Sequence, residues 1–322
     1  MGGKNKTIFT KPKIHLLLPA LKYIWLKRKA LFIINPVAGG KKKDDVPALI
    51  EKNLDKAVFE YTIVFSDGVR HAHTIAKEAI GKFELVVAVG GDGTVNEIAS
   101  AITGSNAVMG VLPYGSGNGL SRFLGIPMDT EAAIKNLNNW HVESIDSATA
   151  NGEWFFNMAG MGFDAHIAEV FSRKEKRGFS TYVKSAFHEI ANYKADTYYI
   201  DIDGAKSQHE AFMLSFANSS QYGNNAHVSP HASVQDGLID VCVIRPFPLW
   251  RFIEMGIRMF TKASEGSKYV SIMRGKNIKV RRDKPGPMHL DGEPRIAGTD
   301  IEIIVVPSSL KIIAGESYRH NQ

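Results

Sequence analysis

Leu85-Val86-Val87-Ala88-Val89-Gly90-Gly91-Asp92-Gly93-Thr94-Val95-Asn96-Glu97 is the stretch that decides the fold. Its first five residues are an apolar, mostly β-branched run without alternation, the pattern of a strand buried on both faces. From Val95 to Ile102 the apolar spacing becomes helical. Gly90, Gly91 and Gly93 therefore stand at a strand-to-helix turn, where they open dihedrals closed to other residues and let a ligand approach the main chain. The helix N-terminus adds unpaired N–H groups and a positive dipole end, which suit a phosphate. Asp92 adds a carboxylate where a nucleotide's Mg²⁺ could be held directly or through water. The turn is neither a P-loop, since it lacks the Gly-Lys-Ser/Thr ending, nor a Gly-x-Gly-x-x-Gly dinucleotide turn. By itself Gly-Gly-Asp-Gly also suits an ordinary turn with a solvent-facing aspartate, so it argues for phosphate binding and not for a reaction.

Outward from this turn, residues 30 to about 140 alternate strands and helices. Ala30–Ile34, Tyr61–Phe65, Leu85–Val89 and Val108–Leu112 read as strands, and Val46–Leu54, Arg70–Ile80 and Val95–Ile102 as helices. That period predicts an α/β nucleotide-binding domain with a parallel sheet and helices on both faces. In such sheets the ligand site lies at the carboxyl ends of the strands. Three glycine-rich loops leave those ends: Asn35–Gly40, Gly90–Thr94 and Pro113–Gly119. After about residue 143 the pattern changes. Asn151-Gly152 is a hairpin signal, and Thr197–Ile202, Ala211–Phe216, Ile239–Ile244, Ile278–Arg282 and Ile301–Val306 read as strands of a mainly antiparallel region. Helical patterns occur at Tyr182–Tyr193 and Leu249–Lys262.

A chain of 322 residues is long for one core and suggests two domains. Composition, 44% hydrophobic and 22% charged, is that of a globular protein. The single cysteine, Cys242, excludes an intrachain disulfide framework, fits a reducing cytoplasm and reads as a buried small hydrophobe. Residues 1–43 hold eleven Lys or Arg and no Asp or Glu, which leaves 28 basic against 33 acidic in the remainder. The apolar stretch Ile14–Leu26 is too short to span a bilayer, and no small-residue cleavage site marks a signal peptide. A basic, partly amphipathic arm able to lie on an anionic membrane surface is the preferred reading, against a tail packed on its own domain. No aromatic-interleaved basic motif speaks for nucleic acid.

Four further segments carry candidate chemistry. Gly115-Ser116-Gly117-Asn118-Gly119 offers N–H groups, a hydroxyl and an amide to phosphate or ribose, with Arg122 one turn on. Lys41-Lys42-Lys43 can attract polyphosphate or simply be solvated. Ser233-Val234-Gln235-Asp236-Gly237-Leu238-Ile239-Asp240 is an acidic turn where Asp236 and main-chain carbonyls could hold a hard cation. His289-Leu290-Asp291-Gly292-Glu293-Pro294 places two carboxylates at a reversal of the chain, one of which could take a proton from a substrate hydroxyl.

Together and in this order, Asn35-Pro36 with its trailing glycines, Gly90–Glu97, Gly115–Asn118, Gly160-Met161-Gly162-Phe163-Asp164-Ala165, Pro230–Val241 and Leu290–Glu293 resemble the bacterial diacylglycerol kinase and lipid kinase family, relatives of sphingosine and ceramide kinases. The matching segments span residues 31 to 293. The resemblance implies an ATP- and Mg²⁺-dependent lipid kinase, with an α/β domain, a C-terminal β-sandwich and an active site in the cleft between them. Its expected divisions are a basic extension over 1–28, the ATP-binding domain over 29–142, the lipid-substrate sandwich over 143–308, and a segment over 309–322 returning to the first domain. Carried over by position, Asn35, Pro36, Val37, Ala38, Gly39, Ser66, Gly90, Gly91, Asp92, Gly93, Thr94, Val95, Asn96, Glu97, Gly115, Ser116 and Asn118 would contact ATP. Asp236, with the main chain of Ser233 and Leu238, would hold a structural Mg²⁺. Asp291 would be the general base with Glu293 assisting, and Asp92 would sit near a catalytic Mg²⁺ and the transferred phosphoryl group. The implied partners are a lipid substrate at a membrane surface and a second copy of the chain, the enzyme being cytoplasmic with peripheral membrane contact.

This chain departs from that pattern in its second loop, where Gly-Ser-Gly-Asn-Gly replaces the Gly-Thr-x-Asn-Asp of many bacterial diacylglycerol kinases, and at Ser66, where Thr is common. A sphingoid base or another lipid alcohol is therefore an alternative acceptor. NAD kinase, which shares a Gly-Gly-Asp-Gly-Thr loop, is the rival enzyme, and a non-catalytic nucleotide- or lipid-binding regulator is the rival of another class.

Overall fold

Near-continuous apolar runs make strands whose both faces are covered, and the first half of the chain follows that rule. A computed structural model describes residues 27–40, 42–172, 189–190 and 193–319. The expected basic arm up to residue 26, and most of the helix expected over Tyr182–Tyr193, lie outside them. In the first half β1 (Arg28–Ile34), α1 (Val46–Asn53), β2 (Phe59–Phe65), α2 (His71–Ala79), β3 (Leu85–Gly90), α3 (Asp92–Ile102), β4 (Val108–Pro113), α4 (Gly119–Phe123) and α5 (Thr130–Asn138) follow one another. The strands pair in parallel in the order β2-β1-β3-β4. Alternate residues feed two cores. Leu31, Ile33, Val86, Ala88, Met109 and Val111 pack with α2 and α3 on one face; Ala30, Phe32, Ile34, Leu85, Val87 and Val89 pack with α1 and α5 on the other.

The second half contributes β5 (Val142–Ala150), β6 (Glu153–Phe155), β7 (Met158–Gly162), α6 (Phe163–Ser172), β8 (Asp196–Ile202), β9 (Ala205–Ala211), β10 (Met213–Ala217), β11 (Ile239–Ile244), α7 (Phe252–Phe260), β12 (Val270–Gly275), β13 (Asn277–Arg282), β14 (Gly286–Leu290), β15 (Glu293–Ala297), β16 (Asp300–Ile313) and α8 (Glu316–Arg319). One antiparallel sheet runs β12-β11-β10-β7-β14-β15. It faces β8, β13 and the start of β16 across a core that includes Phe155, Met161, Tyr198, Phe216, Val241, Val280 and Ile303. The α/β half and the antiparallel sandwich are the architecture expected from the sequence. Cys242 is fully buried in β11, and burial pushes its thiol pKa well above the ordinary range.

The longest strand belongs to both halves. β16 pairs with β13 and β5, passes a bulge between Val306 and Leu310, and ends parallel to β4 through Lys311 and Ile312. Leu310, Ile312 and Ala314 lie in the α2–α3 core and Ile313 in the opposite one. A single ten-stranded sheet thus runs through the molecule.

Candidate active site

The three glycine loops meet at the carboxyl ends of β1, β3 and β4. Asn35 closes the first: its amide donates to Thr94 Oγ1 at 3.0 Å, and its side-chain oxygen accepts from Val37 N–H at 3.2 Å. Pro36, Val37 and Ala38 form the lip, with Val37 84% exposed. Gly39 has φ +68°, and a Cβ there would overlap the Tyr114 carbonyl oxygen, so only glycine lets the first loop touch the third. Ser66 follows β2 beside them, buried, its N–H donating to Ile34 O at 2.9 Å. Of the lysine run, Lys41 lies outside the described residues and Lys42 is exposed. Lys43 turns inward, donating to Ala38 O at 2.5 Å over the Tyr114 ring, so it braces the loop.

Helix α3 begins at Asp92, within the glycine turn. Gly91 is its extended N-cap, and a Cβ there would come 3.0 Å from Gly115. Asp92 accepts the N–H groups of Asn118 at 2.9 Å and Gly119 at 3.1 Å, and Gly115 N–H donates to Asn118 Oδ1 at 2.9 Å. These three donors of the second loop, expected to face a phosphate, are thus spent inside the site. Among the described residues, the N–H groups of Ser116 and Gly117 take no hydrogen bond. Burial pushes the Asp92 pKa up to about 6, against its backbone donors and helped by the charge of Asp291. Glu97 accepts from Arg70 N–H at 3.1 Å, while Val95 faces the core.

The second half enters through the β14–β15 hairpin. Asp291 and Gly292 both have positive φ, +50° and +85°, the two-residue turn that Asp-Gly favours between antiparallel strands. The Asp291 carboxylate is buried under four donors. Oδ2 receives Asn96 Nδ2 at 2.8 Å and Phe156 N–H at 3.0 Å; Oδ1 receives Asn157 N–H at 2.9 Å and Met158 N–H at 3.0 Å. Burial nevertheless raises its pKa, the Asn96 amide and the three N–H groups opposing. Asn96, expected to contact nucleotide, ties α3 to this turn and also donates to Trp154 O at 3.0 Å. Glu293 is exposed and points at α3: a Cβ on Gly93 would lie 2.7 Å from its Oε1. Asp92 and the Asp291–Glu293 pair, far apart in sequence, are brought together.

Behind the hairpin lies a polar cluster that sequence reasoning missed. His289 Nε2 is 3.1 Å from Asp164 Oδ2, which also accepts from Tyr222 Oη at 2.8 Å, with Ser215 and Tyr222 bonded to each other. Gly160 leaves the room, since a Cβ there would overlap Asp164. The Gly160–Ala165 motif was the available signal; its partners His289, Tyr222 and Ser215 come from three other segments of the chain.

The turn expected to hold a cation is at the junction of β5, β11 and β16. Asp236 Oδ1 accepts Leu238 N–H at 3.0 Å, and Ser233 Oγ accepts Gln235 N–H at 3.2 Å. Burial raises the Asp236 pKa, with Asp240 and Asp146 adding to the rise. Asp146, also missed, anchors Gly237 N–H and Ser308 N–H, each at 2.7 Å. Asn218 links this turn to the hairpin, donating to Asp146 O at 2.9 Å and Phe156 O at 2.7 Å. Among the described residues no cluster of three or more His, Cys, Asp or Glu is placed to hold a metal ion. The turn can offer one carboxylate and main-chain carbonyls, an all-oxygen set of the kind hard cations take. A groove of about 730 Å³ across β8, β9, β13 and β16 shares no residue with the carboxylate trio.

Residues 29–150 match the diacylglycerol kinase catalytic domain, and residues 157–314 the YegS C-terminal NAD kinase beta sandwich-like domain. Diacylglycerol kinase of Bacillus subtilis is 25% identical over 272 residues, covering 83% of this chain and 90% of its own. Among solved structures, a diacylglycerol kinase from Bacillus anthracis superposes with a TM-score of 0.71 at 22% identity, over 90% of this chain and 98% of that one. An NAD kinase from Archaeoglobus fulgidus in complex with ATP reaches 0.51 at 16% identity, over 91% and 96%. These two likenesses concern the fold.

Proposed function

The chain is a lipid kinase of the diacylglycerol kinase family, and from that premise we propose that it transfers the γ-phosphoryl group of ATP, with Mg²⁺, to the hydroxyl of a lipid acceptor such as diacylglycerol. The observation that carries this reading is the meeting of three glycine loops with the Asp291–Glu293 hairpin, bridged by Asn96 and by the approach of Glu293 to Gly93.

Phosphoryl transfer rests chiefly on positioning and on neutralising charge. Bound ATP supplies the phosphoryl group, and Mg²⁺ the counter-charge. The first turn of α3 and the N–H groups of Ser116 and Gly117 are the donors available to phosphate oxygens. Val37 and the Ser66 hydroxyl would contact the rest of the nucleotide. Asp92 would hold the catalytic cation, and Asp236, with the carbonyls of Ser233 and Leu238, the structural one. Asp291 is the proton acceptor in this scheme. Its raised pKa makes it a stronger base, and of its four donors Asn96 alone is a side chain. We assign Asn96 the task of yielding one lone pair to the incoming hydroxyl, with Glu293 exposed beside it to orient that hydroxyl.

Gly119 bears on the acceptor. A Cβ there would lie 2.7 Å from Tyr222 O, so this backbone has no room for the aspartate common in the family. A sphingoid base is accordingly the second acceptor to test. Transfer of labelled γ-phosphate to a panel of diacylglycerol, sphingoid base, ceramide and NAD tests the reading. A labelled lipid supports it and names the acceptor. Label on NAD alone would replace it with NAD kinase, and bound ATP with no labelled product would replace it with a non-catalytic role.

A further inference from the structure

Helix α7 carries apolar residues on two faces, although a surface helix needs only one. Its inner face, with Met255 buried and Phe252 and Met259 beside it, packs against the second sheet and α6. The outer face continues from the preceding turn as Trp250, Ile253, Ile257 and Phe260, at i, i+3, i+7 and i+10, flanked by Leu249. These five side chains are between 48% and 71% exposed. Contiguous apolar surface of this kind marks an interaction site on a globular protein.

Charge decides the partner. From Arg245 to Lys268 the segment holds five Lys or Arg and two Glu. Glu254 is engaged by Arg251 at 2.7 Å and Arg258 at 2.9 Å, which leaves Arg245, Lys262 and Lys268, all exposed in the stretches flanking the stripe, against Glu265. Arg251 also lies 4.5 Å over the Trp250 ring, a pairing that keeps a cation beside an exposed aromatic. An apolar stripe flanked in the chain by surplus exposed cations, with a tryptophan at its edge, matches the interface of an anionic lipid bilayer.

The stripe is also continuous with the interior. Leu249 lines an apolar pocket of about 90 Å³ together with Tyr193, Phe212, Pro246 and Phe247. Phe212 stacks on Phe163 at 4.5 Å, and Asp164, the next residue, contacts His289 beside the Asp291 turn.

We propose that the outer face of α7 with the turn at Leu249-Trp250 is a docking surface for anionic bilayers. The inference rests on the exposed stripe and its charge, and not on which lipid is phosphorylated. The test is sedimentation of the full chain with vesicles of phosphatidylcholine alone or with about one-third phosphatidylglycerol, for wild type and for Ile253→Glu/Ile257→Glu. Wild type should bind the anionic vesicles and release with salt. The double variant should bind about tenfold more weakly or worse, two buried apolar side chains being lost, with unchanged Tm and unchanged turnover of a short-chain, water-soluble acceptor. Trp250→Ser, at an exposed position outside the helix, repeats the test should the double variant unfold. Absence of wild-type binding, or variants that bind like wild type, overturns the proposal and in the second case shifts binding to another segment such as residues 1–26. A variant that changes oligomeric state without changing vesicle binding overturns it in favour of a contact between copies. If kinase activity fails on every acceptor while vesicle binding follows the variants, the docking surface stands and the reaction does not.

Discussion

Asp291 illustrates how far a single residue can be read from its neighbours in sequence. Asp-Gly between strand-like runs announces the turn, but the four donors come from Asn96 and from residues 156–158, which no local pattern connects to it. Asp291→Asn sets an amide NH₂ against N–H donors. It should therefore destabilise by about 1–3 kcal/mol as well as lower kcat by about 10²–10⁴-fold. Glu293→Gln, at an exposed side chain, should leave the urea midpoint unchanged and lower kcat alone. Wild-type stability in Asp291→Asn would refute the anchoring, and wild-type turnover would remove it from proton transfer. Asp92 makes a separate prediction. A carboxyl raised from 3.8 to about 6 on folding is favoured protonated, so stability is full below about pH 4 and is lost as pH rises to about 6. Urea unfolding across that window should show wild type losing on the order of 3 kcal/mol relative to Asp92→Asn; parallel pH curves would refute the shift.

At the scale of elements, the glycine loops behave as interlocking parts. Gly39→Ala forces a Cβ into the Tyr114 carbonyl at a positive φ, and the loops must separate. The expected result is a KM for ATP raised about tenfold or more with a cost of about 1–3 kcal/mol. An unchanged KM would show that this contact does not shape the nucleotide site. The same elements show where sequence reading works. β1, β3, β4 and β11 were legible because strands covered on both faces are near-continuous apolar runs, interrupted in β11 only by Asp240. β9, Ala205–Ala211, was not, because among the described residues it is an edge strand pairing with β8 alone, and it is mostly polar and exposed. β15 was missed for the same reason. Asp92, Asp291 and Glu293 were legible as candidates within motifs, while Asp146, Asn218 and the Asp164–His289 cluster were not. Their meaning arises only from contacts across the fold.

The whole molecule is held by one strand. β16 crosses its bulge at Ser308, where Asp146 fastens the main chain, and completes the α/β lobe with Leu310, Ile312 and Ile313. Truncation after Pro307 should lower Tm by more than 10 °C, since three large buried side chains are lost at about 2–5 kcal/mol each. Loss of ATP binding should accompany it; a truncated chain melting like wild type would show that the lobe closes without this strand. The shared strand also sets an order of events at the ribosome. Domains ordinarily fold as they emerge, N-terminal first, but here the residues that finish the first lobe are synthesised after the entire second one. The first lobe must therefore wait, incomplete, until β16 has left the exit tunnel, and activity of the nascent chain cannot precede the synthesis of that strand.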